Sequence, residues 1–336
     1  MKPNIPFFTV IVLMFSICFS CSDGTNHTED PAVVATNLMT GNKPTFTEGY
    51  VDIDGQVLHY VEAGDGPLLI FYHGFPSFWF SFFDQMVEFS ENYRVVALDG
   101  LGSGRSSKPD ELEPYRIESL ASQLEKFARH FIGEQKFTLI GHDWGGALAW
   151  AFSQSHPERL DKLVVISAPP YNQLLTLLKD SEEQRKRSSY MYDLRDGPGN
   201  QAVTENGGQR LWQGAYADVR QSGRLTEDRD SLFRQAIAIP GAVNGGLNWY
   251  RANIPPVEEI NDRDFWPSKS ARTTVPAMLI WGEADLTFTG EFIEGLGEYT
   301  DSLVVTRIPD AGHWPMIHQA DRVNSAIQDF LQTTPD

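Results

Sequence analysis

The chain has 336 residues, enough for one large domain carrying an insert. Hydrophobic residues make up 41% and charged residues 21%, proportions ordinary for a soluble globular protein. Acidic residues outnumber basic ones 45 to 27, and the net charge of −18 argues against nucleic-acid binding, which needs clustered Lys and Arg on phosphates.

In chain order, Lys2 is the only charge before a nearly unbroken apolar stretch from Ile5 to Phe19. That pattern reads as a secretory signal over residues 1–21, outside the fold. Cys21, followed by Ser22-Asp23-Gly24, resembles the lipidation site of a bacterial lipoprotein. The expectation is export and a membrane attachment made only through this N-terminal lipid; plain secretion and an uncleaved anchor helix are the alternatives. Both cysteines, Cys18 and Cys21, fall here, which leaves the rest of the chain with neither disulfide nor thiol nucleophile. Residues 22–45 are polar and read as a flexible tether.

Gly49 to Ile53 and Val57 to Glu62 form an opening hairpin over the turn dipeptide Asp54-Gly55. Strands at 68–72, 94–99, 137–140 and 162–167 then alternate with helices at about 78–90, 116–132 and 145–156. Alternation of this kind predicts an α/β fold: a parallel sheet with helices on both faces. It breaks after Pro169-Pro170, and residues 171–266 carry only helical signals, as a lid would. Strands return at 277–281 and 303–308. The expected organisation is a core over 46–170, a helical cap over 171–266 and the rest of the core over 267–336.

Three strand ends carry chemistry. The apolar run Phe137 to Ile140 leads into Gly141-His142-Asp143-Trp144-Gly145-Gly146 and then a buried-helix run. A strand, Gly-x-nucleophile-x-Gly and a helix make up the nucleophile elbow of α/β-hydrolases, with Asp143 in the usual place of Ser. A carboxylate there attacks saturated carbon and leaves an alkyl ester on the enzyme. Strand 277–281 ends in Gly282-Glu283-Ala284-Asp285, and strand 303–308 leads to Ala311-Gly312-His313-Trp314. Nucleophile, acid and His arrive in that order, each at the carboxyl end of a strand, where open α/β sheets bind ligands. Glu283 is the alternative to Asp285.

The chain from about Phe46 to Leu331 resembles the α/β-hydrolase fold, with an eight-stranded, mostly parallel sheet and an inserted helical cap. The elbow with Asp143 narrows the resemblance to epoxide hydrolases and their haloalkane dehalogenase relatives, whose His-Gly-x-Pro motif is matched by His73-Gly74-Phe75-Pro76. Gly246-Leu247-Asn248-Trp249-Tyr250-Arg251 is similar to the epoxide hydrolase cap segment with an oxygen-activating Tyr. Gln184 to Met191 is similar to the segment with the second one. The resemblance implies Tyr250 and Tyr190 as the epoxide-binding pair, with Tyr192 as the alternative to Tyr190. The sequence departs from the epoxide hydrolases at Ser103, where they commonly have Tyr.

The reading is an epoxide hydrolase that acts without a cofactor on a small apolar epoxide. Asp143 attacks, Tyr250 and Tyr190 bind and protonate the ring oxygen, and His313, oriented by Asp285, activates water. Backbone N–H groups of Phe75 and Trp144 form the oxyanion hole, and both residues are expected to touch substrate. Phe78, Trp79 and Leu247 are expected to line an apolar pocket with Phe75. Two alternatives stand: a hydrolytic dehalogenase using the same triad, and a non-catalytic surface binding module. His142 reads as packing, and Asp310 reads as a turn cap. Trp212, Trp249, Trp266 and Trp314 read as core or pocket wall. The histidines lack ligand spacing, so no metal site is expected.

Overall fold

The computed structural model of the protein describes residues 44–205 and 207–333. The expected leader, Cys21 and nearly all of the tether lie outside the described residues. Strands β1 (Thr47–Ile53) and β2 (Gln56–Ala63) form the opening hairpin. They are followed by β3 (Leu68–Tyr72), β4 (Arg94–Leu98), β5 (Phe137–His142), β6 (Leu160–Ile166), β7 (Ala277–Gly282) and β8 (Leu303–Ile308).

They make one eight-stranded sheet in the order β1-β2-β4-β3-β5-β6-β7-β8. β2 runs antiparallel to both of its neighbours, and every other pairing is parallel. Strands β3, β5 and β7 are buried along their whole length because both sheet faces are covered. In β3, Leu68, Ile70 and Tyr72 enter one core while Leu69 and Phe71 enter the other.

Helices α1 (Phe83–Phe89), α2 (Ile117–Ile132) and α3 (Trp144–Ser155) cover the sheet. α2 buries Ile117, Leu120, Ala121, Leu124, Phe127 and Ala128, the one-sided stripe of an amphipathic helix. α3 is apolar nearly all round and sits under further layers. The helix expected from residue 78 starts later. Trp79–Phe82 form a 3₁₀ turn in which all four side chains are buried, and the α-helical part begins at Phe83. One face of an α-helix would not bury so dense an aromatic run.

Between β6 and β7 the described residues form no strand. They form the helices α4 (Tyr171–Asp180), α5 (Glu182–Arg187), α6 (Ser189–Arg195), α7 (Pro198–Thr204), α8 (Gln209–Ala215), α9 (Ala217–Gln221), α10 (Glu227–Ile237) and α11 (Ala242–Asn253). After β7 come α12 (Glu291–Gly295), α13 (Pro315–His318) and α14 (Ala320–Gln332).

The cap is fastened to the core chiefly through α11. A Cβ on Gly245 would lie 2.3 Å from the Gly102 carbonyl, so this contact needs glycine. Trp249 Nε1–H donates to the Leu101 carbonyl at 2.9 Å. Asn253 accepts from the Ile117 amide at 2.9 Å and donates to the Tyr115 carbonyl at 2.8 Å. Tyr250 is thereby held over the end of the sheet.

Candidate active site

The turn from β5 into α3 places Asp143 at φ 53° and ψ −124°, a strained conformation for a residue with a side chain. The flanking glycines allow it. A Cβ on Gly145 would lie 2.2 Å from the Tyr72 carbonyl oxygen, and one on Gly141 would lie 2.3 Å from that of Gly145. The turn pushes the Asp143 carboxylate out above the sheet, where the Phe75 amide donates to its Oδ1 at 2.7 Å. The loop carrying Phe75 is set by His73, whose Nδ1–H donates to the Gly74 carbonyl at 2.6 Å while its Nε2 accepts from the Gly100 amide at 3.0 Å. Trp144 is the first residue of α3, where amides have no intrahelical acceptor.

His313 stands between two carboxylates. Its Nδ1 lies 2.8 Å from Asp285 Oδ2, and its Nε2 lies 3.4 Å from Asp143 Oδ2. Asp285 is itself fixed by Thr287, whose amide and hydroxyl donate to Oδ1 at 2.8 and 2.6 Å. Glu283 is exposed and makes no such contact. His142 packs, and it also donates from Nε2 to the His313 carbonyl at 2.8 Å. Asp310 sits in a turn at φ 59°.

Electrostatics follow from this arrangement. Burial favours a neutral His313 ring, but Asp285 and Asp143 outweigh it and raise its pKa to about 10. Burial pushes both carboxyls up, yet His313 holds each below the usual carboxylate range, helped at Asp143 by the Phe75 amide and at Asp285 by Thr287. His142 is driven the other way by burial, to about 3, and stays neutral. At neutral pH the site therefore holds an imidazolium between two carboxylates.

A cavity of about 630 Å³ opens above Asp143. Phe75, Tyr190, Tyr250, Asp285, His313 and Trp314 all line it. Tyr250 is only 2% exposed; its ring is edge-on to Trp144 with centroids 5.1 Å apart, and 6.5 Å from that of Tyr190. Burial raises both phenols well above their ordinary pKa, so both remain protonated donors. Tyr192 is not among the lining residues; its ring packs under the Arg195 guanidinium at 5.8 Å.

The expectation that Phe78, Trp79 and Leu247 line the pocket is corrected. All three are buried in the aromatic core beneath, Phe78 stacked on Phe80 at 5.5 Å. The 3₁₀ turn aims its side chains inward, and Leu247 is fully buried in the same cluster. Trp212 and Trp249 are core residues, whereas Trp314 belongs to the wall.

Two contributors were not read from the sequence. Thr287 had a usable signal, since an Asp side chain commonly bonds the amide two residues on. Leu286, 79% exposed at the cavity mouth, had none. Among the described residues no group of three or more His, Cys, Asp or Glu is placed to hold a metal.

The sequence pattern of the family described as alpha/beta hydrolase fold matches residues 67–320. Epoxide hydrolase 4 of Mus musculus is 32% identical over 302 residues, covering 87% of this chain and 81% of that protein. Epoxide hydrolase 3 of Xenopus tropicalis is 31% identical over 84% of this chain and 77% of its own length. The crystal structure of a Bacillus megaterium epoxide hydrolase bound to an inhibitor superposes with a TM-score of 0.78 at 30% identity, over 85% of this chain and all of that one. With the sheet order, the cap and the strand-end residues already described, these matches show that the chain belongs to the α/β-hydrolase family, among its epoxide hydrolase-like members.

Proposed function

We propose that the protein opens epoxides to vicinal diols through an ester on Asp143. The observation that carries this reading is the pairing, across one cavity, of a carboxylate held by His313 with two protonated phenols. Oδ2 of Asp143 attacks an epoxide carbon, the carbon–oxygen ring bond breaks, and the ring oxygen takes a proton from Tyr250 or Tyr190. Such acid assistance is worth roughly 10²–10⁴ in rate.

The alkylation changes the base. Asp143 becomes a neutral ester, one of the two anions that hold the His313 proton disappears, and the ring gives that proton up to restore the phenol that protonated the ring oxygen, so His313 becomes neutral. His313 then takes a proton from water, and the hydroxide adds to the ester carbonyl. The charge that develops on Oδ1 meets the Phe75 and Trp144 amides, the oxyanion-hole arrangement. Collapse releases the diol, its alkoxide taking the proton that His313 drew from water, and the proton of the Asp143 acid passes to His313, which restores the imidazolium between two carboxylates. Every step uses groups of this chain.

A panel of styrene-type and aliphatic epoxides set beside bromoalkanes tests the reading. Diol formation without halide release is expected. Halide release with epoxides untouched would replace it with hydrolytic dehalogenation, and no turnover of either would favour a binding module.

A further inference from the structure

Tyr216, at the corner between α8 and α9, is buried with 0% exposure and is assigned no part in the reaction above. Its hydroxyl donates to the Pro76 carbonyl at 2.8 Å, beside the paired hydroxyls of Ser77 and Ser81. Its ring stacks on Trp314, with centroids 4.2 Å apart and planes 16° from parallel. Trp314 answers by donating its indole N–H to the Ala215 carbonyl at 2.7 Å. One cap corner thus gives one hydrogen bond to the core and receives another.

The two core partners have informative neighbours. Pro76 follows Phe75, whose amide holds Asp143 Oδ1. Trp314 follows His313, and its ring packs against His142 at 4.6 Å, the residue bonded to the His313 carbonyl. The oxyanion loop and the base loop come from opposite parts of the chain, after β3 and after β8. Among the described residues, the Ala215–Tyr216 corner bonds to both.

We infer that Tyr216 is a positioning residue that holds the Phe75 amide and His313 in mutual register for ester hydrolysis. This rests on the covalent reading of the site. Alkylation is carried by Asp143 and the phenols, and depends less on the register between the two loops. Hydrolysis needs the base on one loop and the oxyanion donor on the other at once. Misplacement of reacting groups by fractions of an ångström is costly in rate.

The test is Tyr216→Phe, assayed on an epoxide the parent hydrolyses, by steady-state and single-turnover kinetics. The expected result is ester hydrolysis slowed by roughly tenfold, a loss well short of removing an oxyanion donor outright. The alkyl-enzyme accumulates, so kcat and KM fall together and kcat/KM is kept. A merely structural role would instead lower kcat at constant KM through loss of folded enzyme, and that outcome overturns the assignment. Unchanged kinetics, or a loss confined to alkylation, overturn it too. Should Tyr216→Phe fail to fold, Trp314→Phe, which keeps an aromatic ring against Tyr216 but loses the indole N–H together with half of the indole, is expected to give the same paired fall. If the parent forms no adduct on Asp143, the covalent reading itself has failed, a result distinct from a parent that does so and a variant that behaves identically.

Discussion

His313 stands between two carboxylates, Asp143 and Asp285, and in the proposed mechanism it loses one of these anions when Asp143 is alkylated. Replacing His313 with Gln removes the base for the second step while leaving the attacking carboxylate. We expect a stalled enzyme whose peptide containing Asp143 is heavier by the mass of the epoxide, read by mass spectrometry after incubation with substrate. An unmodified peptide from a variant that binds substrate would contradict the role of His313. In the proposed mechanism Tyr250 acts at the other end of the reaction. Tyr250→Phe removes one donor to the developing alkoxide, and a lone oxyanion donor is worth roughly 2.7–4 kcal/mol. Tyr190 faces the same cavity and shares that charge, so the single change should cost less than this and the double change with Tyr190→Phe far more. Rapid-quench measurement of alkylation decides it; a parent-like rate in the Tyr250 variant would remove the phenol from the mechanism.

At the scale of elements, the elbow between β5 and α3 is where the backbone has least room. A Cβ at position 145 would meet two carbonyl oxygens, those of Tyr72 at 2.2 Å and His73 at 2.5 Å, and backbone cannot swing aside. Gly145→Ala should therefore destabilise by about 1–3 kcal/mol, as overpacking does, and cost activity by shifting Asp143. Gly290→Ala, at φ −61° with nothing within 4 Å of the added carbon, should be neutral in the same urea titration. A Gly145 variant as stable as the parent would mean the elbow can relax. The same crowding is why this part of the chain was legible. Asp143, Asp285 and His313 each follow a short apolar run, and a strand that ends at a turn announces both its direction and its edge of the sheet. The α/β alternation and the hairpin over Asp54-Gly55 were legible for the same local reason. The cap was not. Its helices are short, and which side chains face the cavity depends on how they pack on one another. Leu247 looked like pocket wall and is core for that reason, as Phe78 and Trp79 are because their run forms a 3₁₀ turn, while Leu286 and the contact of Tyr216 with Trp314 carried no sequence signal. Tyr190 and Tyr192, two residues apart, differ only in which way α6 is turned, which no local pattern sets.

Across the whole molecule, the charge trapped at the site links catalysis to stability. The proton on His313 is held to about pH 10 in the folded chain, against 6.5 for a free imidazole. Between those values the folded state carries a proton that the unfolded state lacks, so unfolding releases it and stability must fall as pH rises. The contribution of this group is complete below about pH 6.5 and is lost as pH climbs through its folded value. Asp99, lowered to about 2 against burial by its bonds to His59 and the Trp79 amide, behaves oppositely. Its contribution is present above its ordinary 3.8 and is lost only as pH falls through about 2. Burial lowers Lys108 and Lys162 from their ordinary 10.5, which acts in the reverse sense near the alkaline end. A comparison of variants from pH 7.5 to 9, above the range in which the buried, neutral His142 and His73 contribute, separates these effects, because only His313 differs. The parent's melting temperature should decline steadily across that window at constant ionic strength, with about one proton released per molecule unfolded. His313→Gln carries no titrating ring and should melt at nearly constant temperature over the same range. Equal slopes in the two proteins would show that the imidazolium is not held between Asp143 and Asp285, and the base would then have to be neutral before the first step rather than made so by it.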